Sequence, residues 1–398
     1  MSDVSVNPGF AALAPYPFEK LSALLKDATP ANKTAVPLSI GEPRHAPPDF
    51  VLDTYRQHLI DGVSRYPTIR GTDRLREACA DWLLRRFGLA VDAETMVQPV
   101  NGTREALFAI AQAFVTPNAG QRVLLPNPFY QIYEGAALMA GAQPTYVNVS
   151  ADSDYLPVLE DIPADVLQET RVFYLCSPVN PCGTIAPRGY LKRLAALAIE
   201  FDFIVAADEC YIEIYRDQAP HSALMAAQEI DAGFRNVLTF HSLSKRSNLP
   251  GLRSGFVAGD ARLIQRFSEY RTYHGCSMSL AVQEASIAAW GDDEHVAVNR
   301  SLYNQKYALA KTLLSKHLTV DVPPATFYLW PNIGDDDLSF CRRLYETQNV
   351  TTVPGRFLAR DVDGHNPGKG HIRLSLVADL ETTRIALSRL ATFLEEGA

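Results

Sequence analysis

The sequence predicts an α/β protein with two domains: a three-layer α/β/α domain built on a mostly parallel sheet, and a smaller α+β domain. The large domain is predicted because short apolar segments rich in β-branched residues recur along the chain, with helical patterns between them. The second domain is predicted from the length of 398 residues, because single hydrophobic cores usually split beyond roughly 250–300 residues.

Several of the predicted strands are almost continuously apolar, as expected for parallel strands that are buried on both faces. They are 96–100, 123–125, 145–149, 172–175, 203–207, 237–240 and 255–258. Helical patterns between them include 104–114, 132–140 and 190–201. We expect the large domain over 50–280. The small domain is expected over 281–398, beginning with one long helix at about 280–317, and the Pro-rich segment 1–49 is expected to pack on it.

Composition excludes several classes of protein. Lys plus Arg number 37 and Asp plus Glu number 45, a net charge of −8, which argues against a nucleic-acid partner and does not favour an anionic membrane surface. No apolar stretch approaches the roughly 20 residues that a membrane helix needs. The six cysteines lack Cys-x-x-Cys spacing and pairing with histidines, so we expect no metal site, no disulfide framework and a cytoplasmic location.

Lys245 lies within a pattern that suggests a cofactor. Ser242 and Ser244 precede it, and Arg253 follows eight residues later. An amine forms a Schiff base with an aldehyde, and two hydroxyls with a guanidinium hold a phosphate. Pyridoxal 5'-phosphate (PLP) requires both groups at once. The alternative is a solvated surface lysine beside an ordinary Ser-x-Ser loop.

Polar residues follow three other predicted strands, where ligands of open α/β sheets bind. Thr103 and Arg104 open a helix whose backbone amides could hold phosphate, or simply form a capped turn. Asn180 stands in a rigid turn with two prolines. Asp208 ends a buried strand, with Tyr211 three residues later. A buried carboxylate could keep the pyridine nitrogen of PLP protonated, although a helix N-cap is the alternative.

The order and spacing of these residues resemble the class I/II aminotransferases of PLP fold type I over nearly the whole chain. The resemblance implies Lys245 as the Schiff-base lysine and proton shuttle, and Asp208 as the partner of the ring nitrogen. It implies Asn180 and Tyr211 as donors to the phenolic oxygen. The phosphate site would comprise the backbone amides of Thr103 and Arg104, with Ser242, Ser244 and Arg253.

The same resemblance assigns four further residues. Tyr130 would stack on the ring, and Tyr66 would reach the phosphate of a neighbouring subunit, which implies a homodimer with shared active sites. Arg373 would grip the substrate α-carboxylate, a task that suits a planar fork. Gly41 and Asn180 would also contact substrate. Amino-acid and 2-oxo-acid substrates are the implied partners.

Within the family, four segments look most like proteobacterial N-succinyldiaminopimelate aminotransferases. They are 15–21, 41–46, 66–71 and 271–275. This resemblance predicts transfer from N-succinyl-L,L-2,6-diaminopimelate to 2-oxoglutarate in lysine biosynthesis. Candidates for distal carboxylate contacts are Arg70, Arg271 and His274.

Other functions stay open at this point. Aspartate, alanine or kynurenine transamination uses the same groups, and a PLP-dependent carbon–sulfur lyase would use the same carbanion. A sensor like the transcription regulators with an aminotransferase-like domain would need a DNA-binding module, and the N-terminal 45 residues show no helix-turn-helix pattern or basic patch. The turn at Asn180 departs from the family pattern at Ser177 and Cys182. Arg246 is expected to be a surface or supporting charge.

Overall fold

The computed structural model describes residues 4–231, 233–319, 322–334 and 336–397. Within these ranges the strands are β1 Val36–Pro37, β2 Val97–Val100, β3 Arg122–Asn127, β4 Gln143–Asn148, β5 Thr170–Cys176, β6 Ile204–Asp208, β7 Val237–Ser242, β8 Gly255–Gly259, β9 Tyr328–Leu329, β10 Val350–Thr351, β11 Val353–Pro354 and β12 Ile372–Ser375. The helices are α1 Pro8–Ala11, α2 Pro17–Leu25, α3 Asp49–Gln57, α4 Leu59–Val63, α5 Asp73–Phe87, α6 Thr103–Phe114, α7 Ile132–Met139, α8 Ala164–Glu169, α9 Arg188–Glu200, α10 Ala223–Gln228, α11 Leu243–Arg246, α12 Ala261–His274, α13 Leu280–Gly291, α14 Glu294–Leu314, α15 Asp337–Gln348 and α16 Leu380–Glu395.

The predicted mostly parallel sheet is confirmed. Seven strands pair in the order β2-β8-β7-β6-β5-β3-β4, and each of them overlaps a segment predicted as a strand. Strands β3 to β7 run parallel to one another, whereas β8 runs antiparallel to both β7 and β2. The carboxyl ends of β5, β6 and β7 therefore meet at one edge of the sheet.

Two hydrophobic cores cover the faces of this sheet and make the three layers. Val123 belongs to a core with Ile110 of α6 and Phe267 of α12. Its neighbour Leu124 belongs to the opposite core, with Trp82 of α5. Successive strand residues point to opposite faces, so both faces bury apolar side chains. This explains why the strands read as continuous apolar runs.

A third core lies away from the large sheet. Helices α14, α15 and α16 contribute Tyr307, Phe340 and Leu387 to it, and Val36 of β1 joins them. Strand β1 pairs with β10, and β11, β12 and β9 form a three-stranded antiparallel sheet. These elements make up the α+β part of the fold. The boundaries at 49/50 and 280/281 stay a proposal.

The long helix expected at 280–317 is instead two helices. α13 ends at Gly291 and α14 begins at Glu294, because Asp292 adopts an extended backbone and accepts the N–H of His295 on its side chain at 3.0 Å. The two helices serve different cores: Ala285 of α13 packs with the large sheet, and Tyr307 of α14 with the third core. None of the helices in the described ranges has the length and apolarity to cross a bilayer.

Candidate active site

A cavity of about 360 Å³ lies at the carboxyl ends of the parallel strands. Tyr66 and the three candidates for distal contacts, Arg70, Arg271 and His274, do not line it. All the other predicted site residues do, and these are Gly41, Thr103, Arg104, Tyr130, Asn180, Asp208, Tyr211, Ser242, Ser244, Lys245, Arg253 and Arg373. They come from segments more than 300 positions apart. The fold therefore gathers into one cavity the residues that the sequence had predicted separately.

Lys245 projects into the cavity from the short helix α11, which follows β7 directly. Its Nζ donates to the carbonyl of Gly41 at 2.7 Å and lies 5.5 Å from the centre of the Phe327 ring. Burial lowers the pKa of Lys245 to about 8. A far larger fraction of this amine is therefore neutral, and so nucleophilic, at neutral pH than for an exposed lysine.

Asp208 lies at the end of β6, almost fully buried. The Tyr133 hydroxyl donates to its Oδ2 at 2.7 Å and the Cys210 N–H to its Oδ1 at 3.2 Å. Both donors are neutral, and burial raises the pKa of Asp208. The carboxylate is therefore buried without a cation in hydrogen-bond contact, and Lys245 acts on it only at longer range. The protonated ring nitrogen of PLP is a cation that fits this place.

The opposite wall of the cavity provides a cradle for an anion. Helix α6 begins there after Gly102, and no side chain caps its first amide groups. A Cβ atom on Gly102 would lie 2.3 Å from Nη2 of Arg253, so this glycine lets the guanidinium approach the helix terminus. Ser242, Ser244 and Thr103 supply hydroxyls beside it. Amide groups, hydroxyls and a guanidinium suit a phosphate dianion.

Arg373 of β12 lies at the substrate side of the cavity. Its Nη1 donates to Asn180 Oδ1 at 3.1 Å, and its Nη2 donates to the Ser39 carbonyl at 2.9 Å. Because the Asn180 side-chain oxygen accepts from Arg373, the N–H groups of its amide can donate to a ligand in the cavity. The Tyr211 hydroxyl lies 3.0 Å from that of Tyr328, and burial raises the pKa of Tyr211, which keeps the phenol protonated as a donor.

The sequence interpretation missed several lining residues. Tyr16, Gln131, Cys210 and Tyr328 belong to the cavity wall. For Arg104 the sequence interpretation considered only the backbone amide. Its side chain lies over the Tyr16 ring, with the guanidinium carbon 5.7 Å from the ring centre. The segment 15–21 had been noted for its family resemblance, and this was the one available signal for Tyr16. Gln131 and Cys210 adjoin the predicted residues Tyr130 and Tyr211 in the sequence, whereas Tyr328 reaches the cavity through long-range packing.

Other predicted residues lie outside the cavity of this chain. Tyr66 is 99% exposed, so it stays a prediction that depends on a second subunit. Arg271 was a candidate for distal substrate contacts, and this was wrong: its side chain is fully buried and binds both oxygens of Glu105 at 2.8 Å. Arg246 was expected to be a surface or supporting charge; it is buried and paired with Asp293 at 2.7 Å, as a supporting charge would be.

One group of residues in the described chain has metal-ligand chemistry. Ligand atoms of Glu105, His274 and Cys276 lie within 4.8 Å of one another. However, Arg271 already neutralises the Glu105 carboxylate, which removes the charge that would attract a cation.

A three-layer α/β fold with a buried lysine, a buried aspartate and a phosphate cradle around one cavity defines a PLP enzyme of fold type I. The model of the family "Aminotransferase class I and II" matches residues 33–390. The chain belongs to this family and is a PLP-dependent transaminase, which confirms the resemblance drawn from the sequence.

Relatives match the chain over nearly its full length. It is 31% identical over 388 residues to an LL-diaminopimelate aminotransferase of Nitratidesulfovibrio vulgaris strain DP4, covering 96% of this chain and 97% of that protein. An aminotransferase structure from Neisseria meningitidis Z2491 is 43% identical with a TM-score of 0.94, covering 98% and 100%. The aminotransferase AspB structure from Helicobacter pylori 26695 is 35% identical with a TM-score of 0.90, covering 96% and 99%.

Proposed function

We propose that this transaminase takes its amino group from a diaminopimelate-type amino acid, N-succinyl-L,L-2,6-diaminopimelate, and passes it to 2-oxoglutarate. The sequence segments that resemble N-succinyldiaminopimelate aminotransferases support the succinylated donor. The names of the relatives support a second candidate, free LL-diaminopimelate. Both donors carry at least two carboxylates.

The charge of the cavity is the observation that supports an acidic donor. Among the residues that the structure describes, four cationic side chains line it, namely Lys245, Arg253, Arg373 and Arg104, and one acidic side chain, that of Asp208. The phosphate of PLP would bind Arg253, and the α-carboxylate of the substrate would bind Arg373. Arg104 then remains for a second carboxylate, held over the Tyr16 ring at the cavity wall.

The roles of the protein groups follow from their positions. PLP, when bound, withdraws electrons from the substrate Cα. Asp208 would hold a proton on the ring nitrogen, and Lys245 would carry the proton that leaves Cα. Asn180 and Tyr211 would donate to the phenolic oxygen, and Tyr130 would cover the ring face. Arg373 would orient the α-carboxylate so that the Cα–H bond faces Lys245.

A homodimer is part of this proposal. Apolar side chains are exposed on and beside α4, where Ile60 is 83% exposed and Val63 is 79% exposed, next to the exposed Tyr66. Contiguous exposed apolar residues are typical of interaction surfaces. A second copy docked here would cover them and bring Tyr66 to the neighbouring cavity. Light scattering should give twice the chain mass of 43.9 kDa.

The test is a panel of single-turnover reactions with the PLP-loaded protein and no acceptor. N-succinyl-LL-diaminopimelate, LL-diaminopimelate, aspartate, alanine, kynurenine and cystathionine are mixed in turn, and loss of cofactor absorbance is recorded. We expect the succinylated donor to react fastest. Faster reaction of another donor would contradict the assignment, and pyruvate plus ammonia from cystathionine would indicate a lyase.

Two variants sharpen this panel. Lys245→Ala should abolish turnover, because no other amine lines the cavity within the described residues. Arg104→Ala should slow a dicarboxylic donor by about 10-fold to 150-fold while leaving alanine unchanged, since one charge-assisted contact contributes about 1.5–3 kcal/mol. Equal effects on both donors would place Arg104 outside substrate recognition.

A further inference from the structure

A line of polar side chains connects helix α14 to the main chain of Lys245 from behind the cavity. Its members are Lys306 and Asn299 of α14, both buried, and the half-buried His45. None of these three residues lines the cavity. Any effect they have on the chemistry must therefore pass through Lys245 or through the segment that contains His45.

The hydrogen bonds of this line have one consistent direction. The Asn299 amide group donates to two carbonyls, so its oxygen accepts from His45 Nδ1; burial lowers the pKa of His45 and keeps the ring neutral, so its Nε2 accepts from Lys306 Nζ at 2.5 Å. The neutral ring then carries its proton on Nδ1, which donates to Asn299 Oδ1 at 2.8 Å. The Asn299 amide group donates to the carbonyls of Lys245 at 3.1 Å and Arg246 at 3.2 Å.

Burying these polar groups costs more folding free energy than burying apolar residues at the same positions would. Asn299 and Lys306 are seven residues apart, so they lie on one face of α14, with Tyr303 between them. Burial lowers the pKa of Lys306 to about 7, although Asp379 opposes this effect. The Lys306 ammonium is held by the Leu376 carbonyl at 3.1 Å and by the Tyr303 ring at 4.8 Å. A buried amine with this set of partners indicates a role beyond filling space.

The segment from Gly41 to His45 is linked to Lys245 at two points. Nζ of Lys245 donates to the Gly41 carbonyl at 2.7 Å. Four residues after Gly41, His45 reaches the Lys245 main chain through Asn299. The 41–45 segment is thus attached to Lys245 at both ends, once through the amine and once through the backbone. His45 is also packed on Tyr303, with ring centres 4.5 Å apart.

We propose that His45, Asn299 and Lys306 are positioning residues that fix the 41–45 segment against Lys245. They set where the Lys245 amine lies relative to Gly41, and they tie this placement to helix α14. The proposal depends on the proposed role of Lys245. Loss of the line loosens the segment, admits water to the amine and displaces it from the line of proton transfer.

The test compares substitutions at His45. His45→Phe keeps a ring to pack on Tyr303 but removes both nitrogens. His45→Gln restores an acceptor for Lys306 and a donor for Asn299. Gln305→Ala, at an exposed position of the same helix, is the matched control. All variants are examined both without cofactor and loaded with PLP.

In the loaded enzyme, His45→Phe should lower kcat by about tenfold, since small displacements of a reacting group are costly. The KM of the amino donor should change by less than about twofold, because no substrate contact is removed. His45→Gln should recover most of kcat, and Gln305→Ala should match the unsubstituted protein.

In the cofactor-free protein, the readout is the pH dependence with which trinitrobenzenesulfonate modifies Lys245, measured on the isolated peptide. The apparent pKa should be about 8, should rise in His45→Phe as water reaches the amine, and should return in His45→Gln. An unchanged profile together with unchanged kcat in His45→Phe would overturn the proposal. The proposal would also be overturned if His45→Phe and His45→Gln lost equal amounts of kcat and both had the same lowered Tm. Turnover retained by Lys245→Ala would instead refute the role of Lys245, and the modification profile would still report on the line itself.

Discussion

The glycine at the entrance of helix α6 offers a direct test of the phosphate cradle. Gly102 has φ 78° and ψ 154°, a region that essentially only glycine adopts, so Gly102→Ala should cost of the order of 1–3 kcal/mol in folding stability. A Cβ atom there would lie 2.3 Å from Nη2 and 2.8 Å from Cζ of Arg253. The guanidinium must therefore move by about 1 Å to reach ordinary van der Waals separation.

The functional consequence is weaker cofactor binding. A charge-assisted hydrogen bond contributes about 1.5–3 kcal/mol, so displacement of Arg253 should weaken PLP affinity by about 10-fold to 150-fold. The assay is absorbance titration of the cofactor-free protein with PLP, alongside thermal unfolding. Arg253→Ala should weaken binding similarly without the backbone strain. Gly189→Ala, on helix α9 with no atom within 4 Å of the new Cβ, should leave PLP affinity unchanged and keep or slightly raise the Tm. Wild-type affinity in Gly102→Ala would refute the assignment of this cradle.

Two further predictions concern ionisation. Burial raises the pKa of Asp208, so the ionised form of this carboxyl destabilises the cofactor-free fold. Asp208→Asn should therefore leave the Tm of the cofactor-free protein equal or higher, while it lowers kcat at least about 100-fold. A variant of full activity would contradict the proposed partner of the ring nitrogen. The pKa of about 8 for Lys245 predicts that covalent uptake of PLP by cofactor-free protein accelerates about tenfold per pH unit below pH 8 and levels off above it. A stopped-flow rate of PLP uptake that keeps rising to pH 10 would show that the pKa of Lys245 is that of an exposed lysine.

The residues that follow strands could be predicted because their local setting is distinctive. Asp208 ends a strand that is otherwise apolar, and Lys245 comes shortly after the mostly apolar start of β7; such strands are recognisable from composition. Parallel strands place their carboxyl ends at a common edge, so the chemistry at several strand ends converges there. This is why the cavity wall built from β5, β6 and β7 was predicted almost completely.

Charged side chains in helices were predicted less well. Arg271 was expected near the substrate, yet it is buried in an ion pair with Glu105. For Arg246 the sequence left a surface and a supporting position open, and the structure buries it beside Asp293. A charged residue in a sequence is exposed by default, and only the three-dimensional neighbours reveal a partner. The break between α13 and α14 was missed for a similar reason, because it depends on a side-chain cap at Asp292.

The sequence alone determined the α/β class, the seven strands of the large sheet and the aminotransferase family, because these depend on local periodicity and on short motifs at strand ends. The tertiary structure decided which distant side chains meet. The Arg104 guanidinium over Tyr16, and the line from Lys306 through His45 and Asn299, join residues up to 261 positions apart. Such pairs leave no periodic signal, because their geometry is set only when separate cores pack together.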